Sequence, residues 1–394
     1  MKGYLKVKDD IYWVGALDFD IRTFDVVMYT EYGTTYNSYI VKGSEKTVLI
    51  EAAKNRFFDE HLERINAITN PEKIDYLIVN HTEPDHTGAI EKLLDINPNM
   101  TIIGSAFAIK FLKEITNKEF NSKVVKDGEE ISLGNKTLTF LSVPYLHWPD
   151  SMYTYLKEDK TLFTCDSFGC HYCDEKVFND LIDGDFLDAY KYYFDCIMGP
   201  FKEYIQKALE KIKDLEIETI CPGHGPVLRK DLEKYIEYYR EWSKNEKEDE
   251  VVVGYVSAYG YTKVLAQEVV KGIEKTGIKA KLYDLETADK EEVLANIGVA
   301  KGLLIGTPTI ADDTLPPVWD ILVSLNSNVH KGLKAGVFGS YGWNGFGISN
   351  VEGRFKQLKF KMPVKPLKIL FNPSLEQKEQ AYNFGKEFAS NINI

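Results

Sequence analysis

The segment His81-x-Glu83-x-Asp85-His86 places four potential metal ligands within six residues. Alternate residues of an extended segment point the same way, so His81 and Glu83 could share one cation while Asp85 and His86 turn to another. Two cations need further ligands, and the chain offers them after later apolar runs. They are His147 in Tyr145-Leu146-His147-Trp148-Pro149, Asp166 in Thr164-Cys165-Asp166-Ser167, and His224 in Cys221-Pro222-Gly223-His224-Gly225-Pro226. Four of the seven histidines fall in these contexts. Imidazoles and carboxylates without thiolate suit iron, manganese or zinc. Two divalent ions are neutralised by three carboxylates and one bridging hydroxide. Asp166, the one carboxylate outside the 81–86 segment, is the natural bridge. Extra carboxylate favours iron able to reach its oxidised state. The alternative is a dizinc site whose bound hydroxide hydrolyses an ester or thioester, with the C-terminal part as an accessory.

A second constellation lies further along. After the apolar run 251–256 come Ser257-Ala258-Tyr259-Gly260-Tyr261-Thr262 and then a helical pattern. Hydroxyls and free backbone N–H groups at a helix start form an anion site. No G-x-G-x-x-G is present, so a mononucleotide is better served than a dinucleotide. Thr307-Pro308-Thr309-Ile310 and Ser340-Tyr341-Gly342-Trp343-Asn344-Gly345 follow two more apolar runs. In an open parallel sheet such loops converge outside the carboxyl ends of the strands, where Tyr341 and Trp343 could cover a planar ring.

These loops need particular elements beneath them. Runs 39–41 and 47–50 flank a turn at 42–46, the pattern of a hairpin. Residues 76–79, 138–143 and 161–164 read as strands, and Pro84 argues for a loop rather than a helix through 80–87. Helical periodicity covers about 181–215 and 230–246. In the second half, apolar strands at 251–256, 303–306 and 335–339 alternate with helical stretches, the pattern of a doubly wound parallel sheet. The charged stretch 243–250 is the expected boundary, giving domains 1–248 and 249–394. Tyr193 and His171 follow ligand-bearing strands and are candidate donors of protons or hydrogen bonds to the metal ligands.

The chain has 394 residues, about two domains' worth. Residues 1–250 hold 31 Lys and Arg against 46 Asp and Glu, a net of −15, and the remainder holds 17 against 14, a net of +3. An acidic front half argues against nucleic acid as a partner. No run of 18 apolar residues and no apolar leader appears, so no membrane association is expected and the reading is a soluble, cytoplasmic protein. Five cysteines at irregular spacing fit reduced thiols. Cys170 and Cys173 form the single C-x-x-C, read as structural, so no internal rubredoxin-type site exists.

The 81–86 segment with His147, Asp166 and His224 resembles the metallo-β-lactamase-like domain of the flavodiiron proteins, or A-type flavoproteins, and the resemblance covers nearly the whole chain. It implies an α/β fold: an αββα sandwich followed by a flavodoxin-like doubly wound sheet. It implies a non-haem di-iron centre with a bridging oxo or hydroxo group. His81, Glu83 and His147 would be on one iron, Asp85, His86 and His224 on the other, and Asp166 between them. It implies FMN, with Ser257, Tyr259, Gly260, Tyr261 and Thr262 at the phosphate. Thr307, Pro308, Thr309, Ile310, Ser340, Tyr341, Gly342, Trp343, Asn344 and Gly345 would surround the isoalloxazine. The implied activity is reduction of dioxygen to water or nitric oxide to nitrous oxide. A head-to-tail homodimer, or a pair of such dimers, is implied, with a separate donor, either rubredoxin or the deazaflavin coenzyme F420.

Overall fold

The computed structural model describes residues 3–26, 28–244, 247–327, 329–330 and 332–392. The chain divides into two compact units, Met1–Lys244 and Asn245–Ile394.

The N-terminal unit is built on two sheets. One has seven strands in the order Leu5–Lys8, Ile11–Trp13, Tyr39–Lys42, Thr47–Ile50, Tyr76–Val79, Thr101–Gly104 and Asn121–Val124. The other has five, in the order Glu130–Ser132, Thr137–Ser142, Met152–Leu156, Thr161–Cys165 and Thr219–Pro222. Strand alternation explains the layering. Val41, Val48, Ile50, Ile78 and Ile103 face inward and pack with Leu138, Phe140, Met152, Leu156 and Phe163 of the other sheet. Their neighbours Ile40, Leu49, Leu77, Val79 and Ile102 face outward, onto Ile65, Ile90, Leu93 and Leu112 from three helices. Leu141, Tyr153, Leu162 and Ile220 face outward from the second sheet, onto Tyr190, Ile205, Leu209 and Tyr239. The result is an αββα sandwich with three cores.

Three local expectations change. Residues 84–87 form one helical turn with Pro84 at its first position, where a missing N–H costs nothing. Helix begins only at Leu187, because Asp185 accepts the backbone N–H of Leu187 and the preceding segment turns. From there Leu187–Tyr193 runs through a π-helical turn at Phe194–Met198 and a 3₁₀ turn at Gly199–Phe201 into Lys202–Ile212. The later helix spans Leu232–Trp242, and the last two residues of the expected 230–246 span lie outside the described residues.

The C-terminal unit is a parallel sheet in the order Lys279–Asp284, Glu248–Tyr255, Ala300–Gly306, Lys334–Tyr341 and Leu367–Leu370. The first strand in sequence pairs on both sides, so the chain winds one way and then the other, and the switch point lies between strands 248–255 and 300–306. One face packs on the helices Tyr261–Glu274 and Leu375–Ser390 through Leu265, Val269, Ile273, Phe384 and Phe388. The other packs on Val293, Ile297, Val318, Ile321, Ile348 and Val351. Strand Lys334–Tyr341 runs two residues past its expected end, so Ser340 and Tyr341 belong to the sheet rather than to the loop.

Gly339 sits against the next strand so closely that a Cβ would fall 1.8 Å from the carbonyl oxygen of Thr307. Gly339→Ala should therefore destabilise the protein by about 1–3 kcal/mol, measured by urea denaturation. An unchanged midpoint would show that the close approach is not needed.

Candidate metal and flavin sites

The carboxyl ends of the N-terminal unit's strands carry the candidate ligands to one place. Strand Thr137–Ser142 is antiparallel to Met152–Leu156, which is antiparallel to Thr161–Cys165, which is parallel to Thr219–Pro222. Strands 137–142, 161–165 and 219–222 thus all end on one side, delivering His147, Asp166 and His224 there. The opposite sheet delivers residues 81–86 after strand Tyr76–Val79. Cross-sheet hydrogen bonds fix the approach: Met152 N–H donates to the Asn80 carbonyl at 2.9 Å, and the Thr154 hydroxyl to Asn80 Oδ1 at 2.7 Å.

All seven predicted ligands come together. His81, Glu83, His147 and Asp166 form one group and Asp85, His86 and His224 another, the ligand atoms of each lying within 4.8 Å of one another. Asp166 joins them. Its Oδ2 lies 3.3 Å from His147 Nε2 and 3.5 Å from His81 Nε2, while its Oδ1 lies 3.0 Å from His86 Nε2 and 3.6 Å from His224 Nε2. Glu83 Oε2 stands 3.0 Å from His147 Nε2 and 3.2 Å from His81 Nε2, and Asp85 Oδ2 stands 3.0 Å from His224 Nε2. Two ligands about 2.0–2.2 Å from a shared ion, at ordinary coordination angles, stand about 3–3.5 Å apart. Among the described residues, Asp85 Oδ1 and Asp166 Oδ2 also lack a well-aligned hydrogen-bond partner despite burial. The donor set therefore fits two cations sharing one carboxylate.

Opposite charges alternate through the cluster. Burial opposes the His81 imidazolium, but hydrogen bonds to Asp150 and Glu83 and the field of Asp166 hold its pKa up at about 10. His147 is likewise raised to about 10, against burial, by Asp166 and Glu83. His86 is raised to about 9, again against burial, by Asp85 and Asp166. Burial disfavours the charged forms of Glu83 and Asp85 too, yet the facing histidines hold both at about 2. Protons occupy positions that cations would take.

Several contributors escaped the sequence reading. Asp150 lies 3.3 Å from His81 Nδ1 and accepts from the Thr82 N–H at 2.7 Å and its hydroxyl at 2.8 Å. This directs His81 Nε2 toward the cluster. The Thr35 carbonyl accepts from His224 Nδ1 at 2.6 Å and does the same for that ring. Glu51, buried with φ of +58°, accepts the N–H of Asn80 at the start of the ligand segment. Asp25 approaches Glu83, and burial together with Glu83 and Asp85 raises its carboxyl to about 6. Gly223 leaves room for His86, since a Cβ there would fall 2.6 Å from His86 Cε1. Asp150 follows Trp148-Pro149 closely after His147, which is the one sequence signal that could have marked it.

Tyr193 and His171 both border the cluster. The Tyr193 hydroxyl donates to Asp166 Oδ1 at 3.1 Å. His171 packs edge-on to Tyr193 at 4.9 Å and pairs through Nδ1 with the Thr34 hydroxyl at 2.8 Å. Burial and the neighbouring His224 hold its pKa well below the ordinary value, so the ring is neutral. Its Nε2 has no hydrogen-bond partner among the described residues. Cys170 is buried, Cys173 half-buried, and both are free thiols.

In the C-terminal unit, the three predicted loops meet at the strand ends around the switch point. Val256 N–H donates to the Gly306 carbonyl, and Thr307 N–H to the Phe338 carbonyl, both at 3.0 Å. Helix Tyr261–Glu274 starts directly after Gly260, and Ser257 Oγ accepts the Lys263 N–H at 3.2 Å. Trp343 is 85% exposed, whereas Tyr341, expected with it at the ring, is half-buried at the end of its strand; Tyr259, expected at the phosphate, is 83% exposed. Other predicted contacts are already committed elsewhere. Ser340 donates to the Phe371 carbonyl at 2.9 Å, Thr307 bonds Thr314, and Thr309 Oγ1 accepts the Gly347 N–H. Asn344 donates to Asp312 and ties the 340–345 loop to the one after Ile310. These hydroxyls and this amide shape the loops. A helix N-terminus beside a switch point, with free aromatic rings, fits a phosphate-bearing planar cofactor.

Comparison with known proteins agrees with this geometry. Residues 34–225 match the ODP family of beta-lactamases, and residues 253–385 match flavodoxin. The flavo-diiron protein FprA2 of Clostridium acetobutylicum is 39% identical over 98% of this chain and 99% of its own length. A protein named nitric oxide reductase, from Moorella thermoacetica, is 36% identical over 98% of each chain. The solved rubredoxin oxygen:oxidoreductase of Desulfovibrio gigas superposes with a TM-score of 0.73 at 30% identity, covering 99% of this chain and 98% of that one. None of these is a dizinc hydrolase, and that alternative is not favoured. With a beta-lactamase-like unit ahead of a flavodoxin-like one and such similarity along its whole length, the chain belongs to the flavo-diiron oxidoreductases, the type A flavoproteins.

Proposed function

We propose that this chain reduces dioxygen to water, nitric oxide to nitrous oxide, or both, using electrons that enter through FMN and are delivered at a pair of irons. The observation that carries this reading is the buried Asp166 carboxylate, with two histidines facing each oxygen. His81, Glu83 and His147 would hold one iron and Asp85, His86 and His224 the other, with Asp166 shared by the two groups. The irons supply a place to bind and polarise a diatomic gas, and the flavin supplies their electrons. The protein's own side chains then do two things. Asp150 and Thr35 orient His81 and His224. Tyr193, bonded to Asp166, presents a phenolic proton to the cluster. His171, held neutral beside His224, borders the cluster with its Nε2 unpartnered among the described residues. In residues 249–394, Ser257, Tyr259, Gly260, Tyr261 and Thr262 receive the FMN phosphate, and the 307–310 and 341–345 segments frame its ring; residues 1–248 carry the irons.

A separate donor, a rubredoxin or reduced coenzyme F420, reduces the flavin, in keeping with the Desulfovibrio protein's name. The opposite charges of the two parts of the chain favour a head-to-tail homodimer in which each flavin serves the partner's irons. Among the described residues no helix is long and apolar enough to cross a membrane, and the cytoplasm is the proposed location.

The holoprotein should contain two irons and one FMN per chain, and after chemical reduction under anaerobic conditions it should consume added dioxygen or nitric oxide. Two zincs and no flavin would overturn the reading. Asp150→Asn should weaken metal binding about 10–100-fold, read by competition with a chelator, while leaving flavin content unchanged. Loading the metal-free protein at pH 7 with two divalent ions should release about three histidine protons, from His81, His147 and His86. Apparent metal affinity should accordingly rise with pH until those groups deprotonate near pH 9–10. The folded pKa values exceed the ordinary 6.5, so these ion pairs stabilise the metal-free protein fully below that pH. Their contribution is lost as pH rises through 9–10, which thermal melts of the metal-free protein would follow.

A further inference from the structure

The turn that carries His224 cannot hold its own shape. Close neighbours require glycine on both sides of the ligand: a Cβ at Gly223 would fall 2.6 Å from His86 Cε1, and one at Gly225, whose φ is +74°, would fall 2.5 Å from the Cys170 carbonyl oxygen. Glycine restrains the backbone least, so a turn built on two of them needs its shape imposed from outside. Fully buried Asn37 imposes most of it. Its Nδ2 donates to the carbonyls of Pro222 and Gly225, both at 2.9 Å, and its backbone N–H donates to the Gly223 carbonyl at 2.8 Å. Pro222, Gly223 and Gly225 thus all hang on one residue. The Tyr39 hydroxyl adds a second bond to the Pro222 carbonyl at 2.7 Å, and the Thr35 hydroxyl accepts the Gly225 N–H at 2.7 Å. The amide of Asn37 is itself oriented. Trp13 Nε1 donates to Asn37 Oδ1 at 2.8 Å, and because an indole N–H can only donate, the amide NH2 must face the two carbonyls. Trp13 is fully buried, with the Arg64 guanidinium over its ring at 5.2 Å, and Arg64 donates to the Gly3 and Gly15 carbonyls.

We infer that Asn37 is a positioning residue for His224, and that it sets the affinity of one ion of the pair, the one at Asp85, His86 and His224, with little effect on the ion at His81, Glu83 and His147. This rests on the ligand assignment of the proposed function. A buried amide is costly unless its hydrogen bonds are made, and an apolar side chain would fill the same space without that cost. Asparagine is needed here because one short side chain must donate twice and accept once. The other half of the cage has its own device, since Asp150 aims His81. The two ions therefore depend on separate supports, Asn37 behind one and Asp150 behind the other. Aspartate has the shape of asparagine but not its NH2 group, so Asn37→Asp would set a carboxyl oxygen against the Pro222 and Gly225 carbonyls and release the turn between them.

The test titrates the full chain, with FMN bound and metal removed, with cadmium-113 ions, whose nuclear magnetic resonance reports each site separately. The parent should show two signals. Asn37→Asp should weaken binding of one ion about 10–100-fold, so that one signal is lost or shifted while the other keeps its position. Asp150→Asn should disturb the other signal, and the pair of variants thereby tells the two sites apart. Trp13→Phe keeps most of the ring packing and removes only the donor that orients the amide. It should weaken the same ion as Asn37→Asp by several-fold, and it decides the matter if Asn37→Asp does not fold. At an iron concentration that fills both sites of the parent, Asn37→Asp should retain one iron per chain. Equal weakening of both ions, or of neither, in the variants that fold would overturn the positioning role while leaving the proposed function intact. A parent that binds fewer than two ions would overturn the proposed function itself.

Discussion

The N-terminal unit is organised around a concentration of charge that would be untenable if any part were removed. Three carboxylates and four imidazoles lie within a few ångströms of one another, all buried except half-buried Glu83 and His147, where an isolated ion costs several kcal/mol to desolvate. They coexist because each carboxylate faces at least one imidazole nitrogen, with Asp166 serving both halves. The sandwich supplies what this requires: strand ends from two sheets that open onto the same side, tied together through Asn80. Cations would replace the histidine protons and leave the carboxylates where they are.

Backbone strain gathers where those strands end. Glu51, Tyr145, Cys165 and Phe168 all adopt left-handed conformations, with φ between +49° and +68°. Each lies at or beside a turn that aims a ligand or its support, and such conformations persist only where surrounding packing fixes them. The cross-sheet hydrogen bonds and the three apolar cores provide that packing. The same outer core, rich in tyrosine and tryptophan, lies directly behind Asp166 and backs the cluster through the Tyr193 hydroxyl.

The flavin-side loops follow a different logic. Their hydroxyl and amide side chains mostly bind one another or the backbone, which leaves helix N–H groups and free aromatic rings to meet a ligand. A site of this kind is defined by loop shape more than by individual polar contacts. Hydroxyl-rich composition singled out these loops, but it did not reveal that Ser340 and Thr307 are turned inward.

What the sequence determined was the chemistry and the order of elements. Histidines and carboxylates at fixed spacing after apolar runs marked all seven cluster residues, because ligand type and strand-end position are local properties. Apolar runs alternating with helices likewise marked the parallel sheet. Short edge and N-terminal strands such as Leu367–Leu370 and Ile11–Trp13 carried too little apolar signal to be seen. The helical turn at Pro84–Thr87 was hidden by a proline that its first position tolerates. Only tertiary structure decided that Asp150, Glu51, Thr35 and Asp25 support or border the cluster, since the last three come from distant parts of the chain and Asp150, close after His147, bonds His81 instead. It alone decided which hydroxyls are free and which are spoken for. Pairing across two sheets and the mutual cancellation of buried charge depend on residues brought together by folding, and no short window of sequence contains both partners.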